Sequence, residues 1–160
     1  MKFSAKKEVL ADKLSLCSSI AEKRQTIPIL SNVLLKANNG NITIVATDLE
    51  RQLSLVVSDC SITDDGETTV SARKLFELIR SVPDDTELNF EVIQNQLEIS
   101  ALSFQADLAV LPVQDFPFVD LEDHNFNISL DGNKFGKVLE STSFAMASAD
   151  VRYYLNGLLF

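Results

Sequence analysis

Asp48 with Glu50, Asp64 with Asp65, and the single histidine at 124 come nearest to residues whose types and spacing do chemistry. Paired carboxylates can hold a metal, but neither pair has a His, a Cys or a Gly-spaced loop to complete a coordination shell. His124 stands in "EDHN", the composition of a solvated linker rather than of a general base. Cys17 and Cys60 fit no CxxC or CxxxC spacing and read as small core residues in a reducing compartment. There is no phosphate-cradling Gly loop and no nucleophile with a base and an orienting partner. The sequence therefore predicts no catalytic residue, no metal and no cofactor.

What remains is charge. The net charge is -9 over 160 residues, but it is unevenly placed. Residues 1–80 carry 11 Lys/Arg and 10 Asp/Glu, whereas residues 81–133 carry 11 Asp/Glu and no base at all. Such segregation suits a protein with one surface that attracts a polyanion and another that repels it. No apolar run approaches the roughly 20 residues of a membrane span, and the start has no signal-peptide core. A soluble, cytoplasmic protein is expected.

The elements that would carry these charges show a repeat. "FSAKKEVLADKL", "VSARKLFELIRSV" and "ISLDGNKFGKVLEST" each run from an apolar-Ser-apolar strand end into a helical pattern, with Ser4, Ser71 and Ser129 in register. Helices are predicted over about 6–23, 72–82 and 133–143. The first buries Leu10, Leu14, Cys17 and Ala21, the second Leu75, Leu78, Ile79 and Val82, and the third Phe135, Val138, Leu139 and Thr142. Lys6 with Lys13, Arg73 with Arg80, and Lys134 with Lys137 then lie on outer faces. A solvated surface helix carries lysines anyway, but three related helices with paired cations suggest a shared basic side. Between them the period falls to two at Ile42, Ile44 and Ala46, at Leu88, Phe90 and Val92, and at Leu97, Ile99 and Ala101, with a turn at Gln94–Gln96. The fold class is α+β.

"RQTIPILSNVLL", "TDLE", "VSARKLFELIR", "LPVQDFPFVD" and "DVRYYLNG" occur in the order and spacing of bacterial replicative sliding clamps, the β subunit of DNA polymerase III. The resemblance spans the whole chain. It implies the DNA-clamp (processivity) fold: repeated strand-helix-strands units, antiparallel sheets outside and helices lining one face. It places an N-terminal domain at 1–124 and the incomplete beginning of a central domain at 125–160. "YYLNGLLF" would be an early strand of that second domain, exposing Phe126, Ile128, Leu130, Leu155, Leu158, Leu159 and Phe160. A chain of this extent would not close a ring or be retained on circular DNA.

The resemblance also implies roles. The protein would be a non-catalytic subunit of a DNA-directed DNA polymerase holoenzyme that encircles duplex DNA without reading sequence. In the full-length form its partners would be the polymerase III catalytic subunit, the clamp loader and, in a homodimeric ring, a second copy. Arg24, Arg73, Arg80, Lys137, Arg152, Tyr153 and Tyr154 would touch DNA, although Arg24 also suits the C-terminal dipole of the first helix. Ala149 stands where a polar residue is common in the family, removing one contact. Lys74, Phe104, Ala106 and Leu108 would lie at a subunit interface, and Leu155 would contribute part of a peptide cleft. The alternative reading is an acidic protein-interaction module that never touches DNA.

Overall fold

The computed structural model describes residues 1–21, 27–102, 104–118 and 128–159. The chain divides into two compact units, Met1–Asp120 and Leu121–Phe160.

The first unit runs β1 (Lys2–Lys6), α1 (Lys7–Ile20), β2 (Asn32–Asn38), β3 (Asn41–Thr47), β4 (Gln52–Val57), β5 (Cys60–Asp64), β6 (Gly66–Ser71), α2 (Ala72–Ser81), β7 (Glu87–Ile93), β8 (Gln96–Ala101) and β9 (Phe104–Leu111). All pairings are antiparallel, in the order β4-β3-β2-β6-β9-β8-β7-β1-β5. Two hairpins close through tight turns. Asn39 and Gly40 both take left-handed φ, 51° and 76°, between β2 and β3, and Gln94 takes 53° beside Asn95 between β7 and β8.

The topology contains an exchange. β1 leads into α1 yet pairs with β7 of the second half, and β6 leads into α2 yet pairs with β2 of the first. The two ends of the strand order, β4 and β5, are separated in sequence only by Ser58 and Asp59.

Both helices and both half-sheets enclose one core. Leu10, Leu14 and Cys17 of α1 and Leu75 and Ile79 of α2 meet Phe3, Ile42, Ile44, Phe90 and Ile99. Phe3 and Phe90 stack across the β1–β7 pair with ring centroids 4.5 Å apart. Burial pushes the Cys17 thiol up to about 11, so it packs as a neutral apolar group. A smaller cluster of Ile29, Leu30, Leu34, Val45 and Phe116 covers the opposite face of β2 and β3. That is why β2 is buried on both sides.

The helices are tied where α1 begins and α2 ends. Lys7 donates its backbone N–H to the Thr86 carbonyl (3.0 Å) and its Nζ to the Val82 carbonyl and the Asp84 carboxylate (2.6 Å each). The Glu8 carboxylate accepts the N–H of Asp85, which takes a left-handed φ of 57°, at 2.7 Å. This bond holds Glu8 below the usual carboxylate range.

The predicted stripe of α1 is buried in full, as are Leu75, Ile79 and Val82 of the second helix, with Leu78 half-buried. Two details differ. Lys6 is the last residue of β1 rather than part of a helix, so it shares no helical face with Lys13. The repeat is also offset from the serine alignment. Ser71 accepts the Lys74 N–H as the cap of α2, but Ser4 lies mid-strand and donates to Glu87. The buried helix residues superpose instead with an offset of 65, Leu10 on Leu75, Leu14 on Ile79 and Cys17 on Val82.

In the second unit α3 (Gly132–Ser143) is capped by Asp131, which accepts the Lys134 N–H at 2.9 Å. Ser129, the third member of the serine alignment, lies in no strand. The face expected to be buried is not: Phe135 and Leu139 are half-covered, while Val138 and Thr142 are exposed. The described residues of this unit contain no strand that could cover that face. The expected strand at Tyr153–Phe160 is likewise replaced by a 3₁₀ turn at Tyr153–Leu155. A lone strand has no ladder partner, so its groups bond locally: Leu155 N–H to Arg152, Asn156 N–H to Tyr153 and Ala147 N–H to the Leu155 carbonyl. Ile128, Leu130 and Leu159 are exposed as anticipated, whereas Leu158 is half-buried. His124, Phe126 and Phe160 lie outside the described residues.

Phe90→Ala should remove both the stack and a central core group, lowering unfolding free energy by about 3–5 kcal/mol. Urea denaturation of the two proteins measures this.

Candidate nucleic-acid interface

The solvent face of α2 repeats at i, i+4 and i+7: Arg73, Glu77, Arg80. The opposite face is held down by Ala72, Leu75 and Ile79, so these three side chains must point outward. Arg73 Nε donates to Glu77 Oε1 at 2.8 Å, a bond that raises the guanidinium above its ordinary value. Both side chains are well exposed, and solvent screens such a pair so that it contributes little. A phosphate oxygen can therefore replace Glu77 at little cost. Arg80 sits in the last turn, where the helix dipole favours a cation. Lys74 is also exposed, but lies about a quarter-turn round the helix from Arg73.

The outer face of the sheet has the opposite character. Strand register aligns Asp64, Lys2, Glu91, Glu98 and Asp107 in one row across β5, β1, β7, β8 and β9. Phe3, Phe90, Ile99 and Ala106, one residue away along each strand, turn inward to the side the helices cover. The row therefore faces away from α2. Lys2 binds Glu91 at 2.9 Å, which raises its ammonium above the ordinary value, and Asp64 adds to this. Glu98 stands directly between Glu91 and Asp107, with a carboxylate opposite it on either side. Like charges so placed oppose pairing. A shallow depression lined by Ser4, Asn89, Glu91, Glu98 and Ser100 follows this row.

In the second unit Lys134 and Lys137 are exposed on α3. Arg152 is held by Asp150 through two bonds, Nε at 3.0 Å and Nη2 at 2.9 Å, which keep the guanidinium above and the carboxyl below their ordinary values. Tyr153 and Tyr154 do not face opposite sides of a strand. They meet edge to face at 5.9 Å within the 3₁₀ turn, and both are exposed. Ala149 just before them takes a left-handed φ of 58°. Leu155 is at the margin of exposure.

Phe104, Ala106 and Leu108 lie on the inward face of β9, half-covered, while Gln105, Asp107 and Ala109 face outward. β9 pairs with β8 along its length but with β6 only at Val110 and Leu111. Among the described residues, 104–109 therefore leave one backbone edge without a strand partner. Arg24 lies outside the described residues. Among the described residues, no group of three or more His, Cys, Asp or Glu is placed to hold a metal ion. No described helix is long and apolar enough to cross a membrane. Sequence reasoning missed the Lys7 and Glu8 tie and the carboxylate row. Alternation shows that Glu91, Glu98 and Asp107 face outward, but only register sets them opposite one another.

Residues 1–120 match the family model described as DNA polymerase III beta subunit, N-terminal domain. The chain is 39% identical to the beta sliding clamp of Pseudomonas aeruginosa, over 99% of this chain and 43% of that protein. It is 34% identical to the beta sliding clamp of Escherichia coli, over 100% of this chain and 44% of that protein. The crystal structure of the P. aeruginosa DNA polymerase III subunit beta aligns with a TM-score of 0.92 at 38% identity, covering 98% of this chain and 43% of that one. The Caulobacter crescentus pol III beta structure also aligns at 0.92, with 33% identity and 98% and 42% coverage. The chain thus spans less than half the length of the relatives it matches.

Glu98→Lys should turn the opposed carboxylates into alternating charge and raise stability by about 0.5–1 kcal/mol. A small upward shift in thermal midpoint is the expected reading, larger at low salt than at high salt.

Proposed function

The chain belongs to the family of the bacterial DNA polymerase III β subunit, the sliding clamps, and from that membership we propose that it serves as a segment of a ring that tethers a polymerase to duplex DNA. In this reading residues 1–124 are the N-terminal domain and residues 125–160 the first part of a central domain. As part of a full-length chain it works in the cytoplasm beside the polymerase III catalytic subunit and the clamp loader, in a ring of two identical chains, and performs no chemistry of its own.

The observation that carries the reading is the separation of charge within the first unit. Cations stand on the outer face of α2, and a carboxylate row stands on the side of the sheet turned away from it. Duplex DNA presents about one phosphate charge per 1.7 Å of axis, so a few cations on a helix suffice for attraction that exchanges along the duplex. Nothing on α2 is arranged to read base edges, which would arrest sliding. Arg73 and Arg80, with Arg24, Lys137, Arg152, Tyr153 and Tyr154, are assigned here to phosphate or sugar contacts. Lys74 and the β9 residues Phe104, Ala106 and Leu108 are assigned to the joint between subunits. The unpartnered edge of β9 supports a joint built from backbone as well as side chains. Leu155 is assigned to one wall of a peptide cleft.

Arg73→Ala with Arg80→Ala should weaken duplex binding equally for unrelated sequences. The slope of log K against log salt should fall in magnitude by about 1.8, two phosphate contacts at 0.9 each. Anisotropy of a labelled duplex across a salt series measures it. An unchanged slope would remove α2 from the interface.

A further inference from the structure

The two helices of the first unit are structural equivalents with unlike outer faces. The offset of 65 that superposes their buried residues also matches their exposed ones. On it Arg73 corresponds to Glu8, Glu77 to Asp12 and Arg80 to Ser15. The acid is kept in both helices, and both arginines are lost from α1. The exposed face of α1 consists of Glu8, Asp12, Ser15, Leu16 and Ser19. Its two lysines do not supply the deficit. Lys7 is drawn back against the Val82 carbonyl and Asp84, and Lys13 is half-buried at the side of the helix. Glu8 is itself engaged with the Asp85 N–H.

We infer that between the two helices of this unit attraction for duplex DNA is one-sided: α2 draws the phosphates and the exposed face of α1, from Glu8 to Ser19, does not, with Ser15 the position at which a cation is missing and Arg24, assigned to DNA above, following α1 in sequence rather than belonging to it. The inference rests on the proposed DNA-tethering function and specifies which half of the helical face performs it. Two equivalent helices with arginines would hold a duplex symmetrically between them. A single cationic helix beside one carrying Asp12 and Glu8 draws it to one side, and fewer contacts per unit leave the duplex freer to move.

The test is an amide chemical-shift titration of the full chain with a short duplex at low salt, a method that reads weak binding. The expected result is salt-sensitive shifts along Arg73–Ser81 and none along Glu8–Ser19. Ser15→Arg is an exposed substitution with good helix propensity. It should bring shifts to α1 and steepen the salt dependence of binding by about 0.9. Asp12→Asn should strengthen binding without that increment. Shifts of equal size on both helices in the unaltered protein would overturn the inference. So would a Ser15→Arg protein, folded by its own spectrum, that binds no better while Arg80→Ala still weakens binding. An absence of salt-sensitive shifts anywhere would instead refute the DNA-tethering reading, and the inference with it.

Discussion

The exchange of β1 and β6 between the two halves is the constraint on which the rest depends. Each helix is reached from a strand that belongs to the other half's sheet. Neither half can complete its hydrogen-bond ladder without the other. The exchange also sets both helices against one shared core rather than two small ones, since Leu10 and Leu14 meet the same residues as Leu75 and Ile79. A domain of this size needs that sharing, because two separate halves of about 60 residues would each bury a smaller fraction of their surface. With both helices committed to one core, their outer faces and the outer face of the sheet become separate surfaces that can differ in charge.

Those surfaces are shaped by different physical rules. On the helices an outward position is fixed by sequence spacing alone, so Arg73 and Arg80 follow from Leu75 and Ile79. On the sheet the outward set is fixed by alternation, but its neighbours are fixed by register. Register puts Glu98 between two carboxylates, an arrangement that opposes folding. Under the proposed function the row keeps DNA from the outer side, so the cost falls where function would place it.

Much of this was legible in the sequence. Both helices of the first unit, their buried stripes, the Gln94 turn and the antiparallel strands follow from periodicity, because each is a local pattern. The family was legible from five short motifs read together. Three things were not. Periodicity does not mark the point at which a strand turns into a helix, so it extends the first helix to Lys6, which is the last residue of β1. The serine alignment misplaced the repeat by two residues, since Ser71 is a cap and Ser4 a strand residue bonded to Glu87. The apolar character of Tyr153–Leu159 suggested a strand, but a strand exists only where another chain segment offers its backbone. Among the described residues of this unit none does.

The central claim is that duplex DNA meets the helical side of the first unit and not its sheet side. Lysine acetylation read by mass spectrometry, with and without a duplex at low salt, tests it in one experiment, because both sides carry lysines. Lys74, although assigned to the joint between subunits, is exposed on α2 next to Arg73 and so reports the helical side, whereas Lys2 and Lys36 lie on the strands. The account predicts slowed modification at Lys74 when the duplex is present, reversed by added salt, and unchanged rates at Lys2 and Lys36. Protection of Lys2 or Lys36 with Lys74 left unaffected would contradict it.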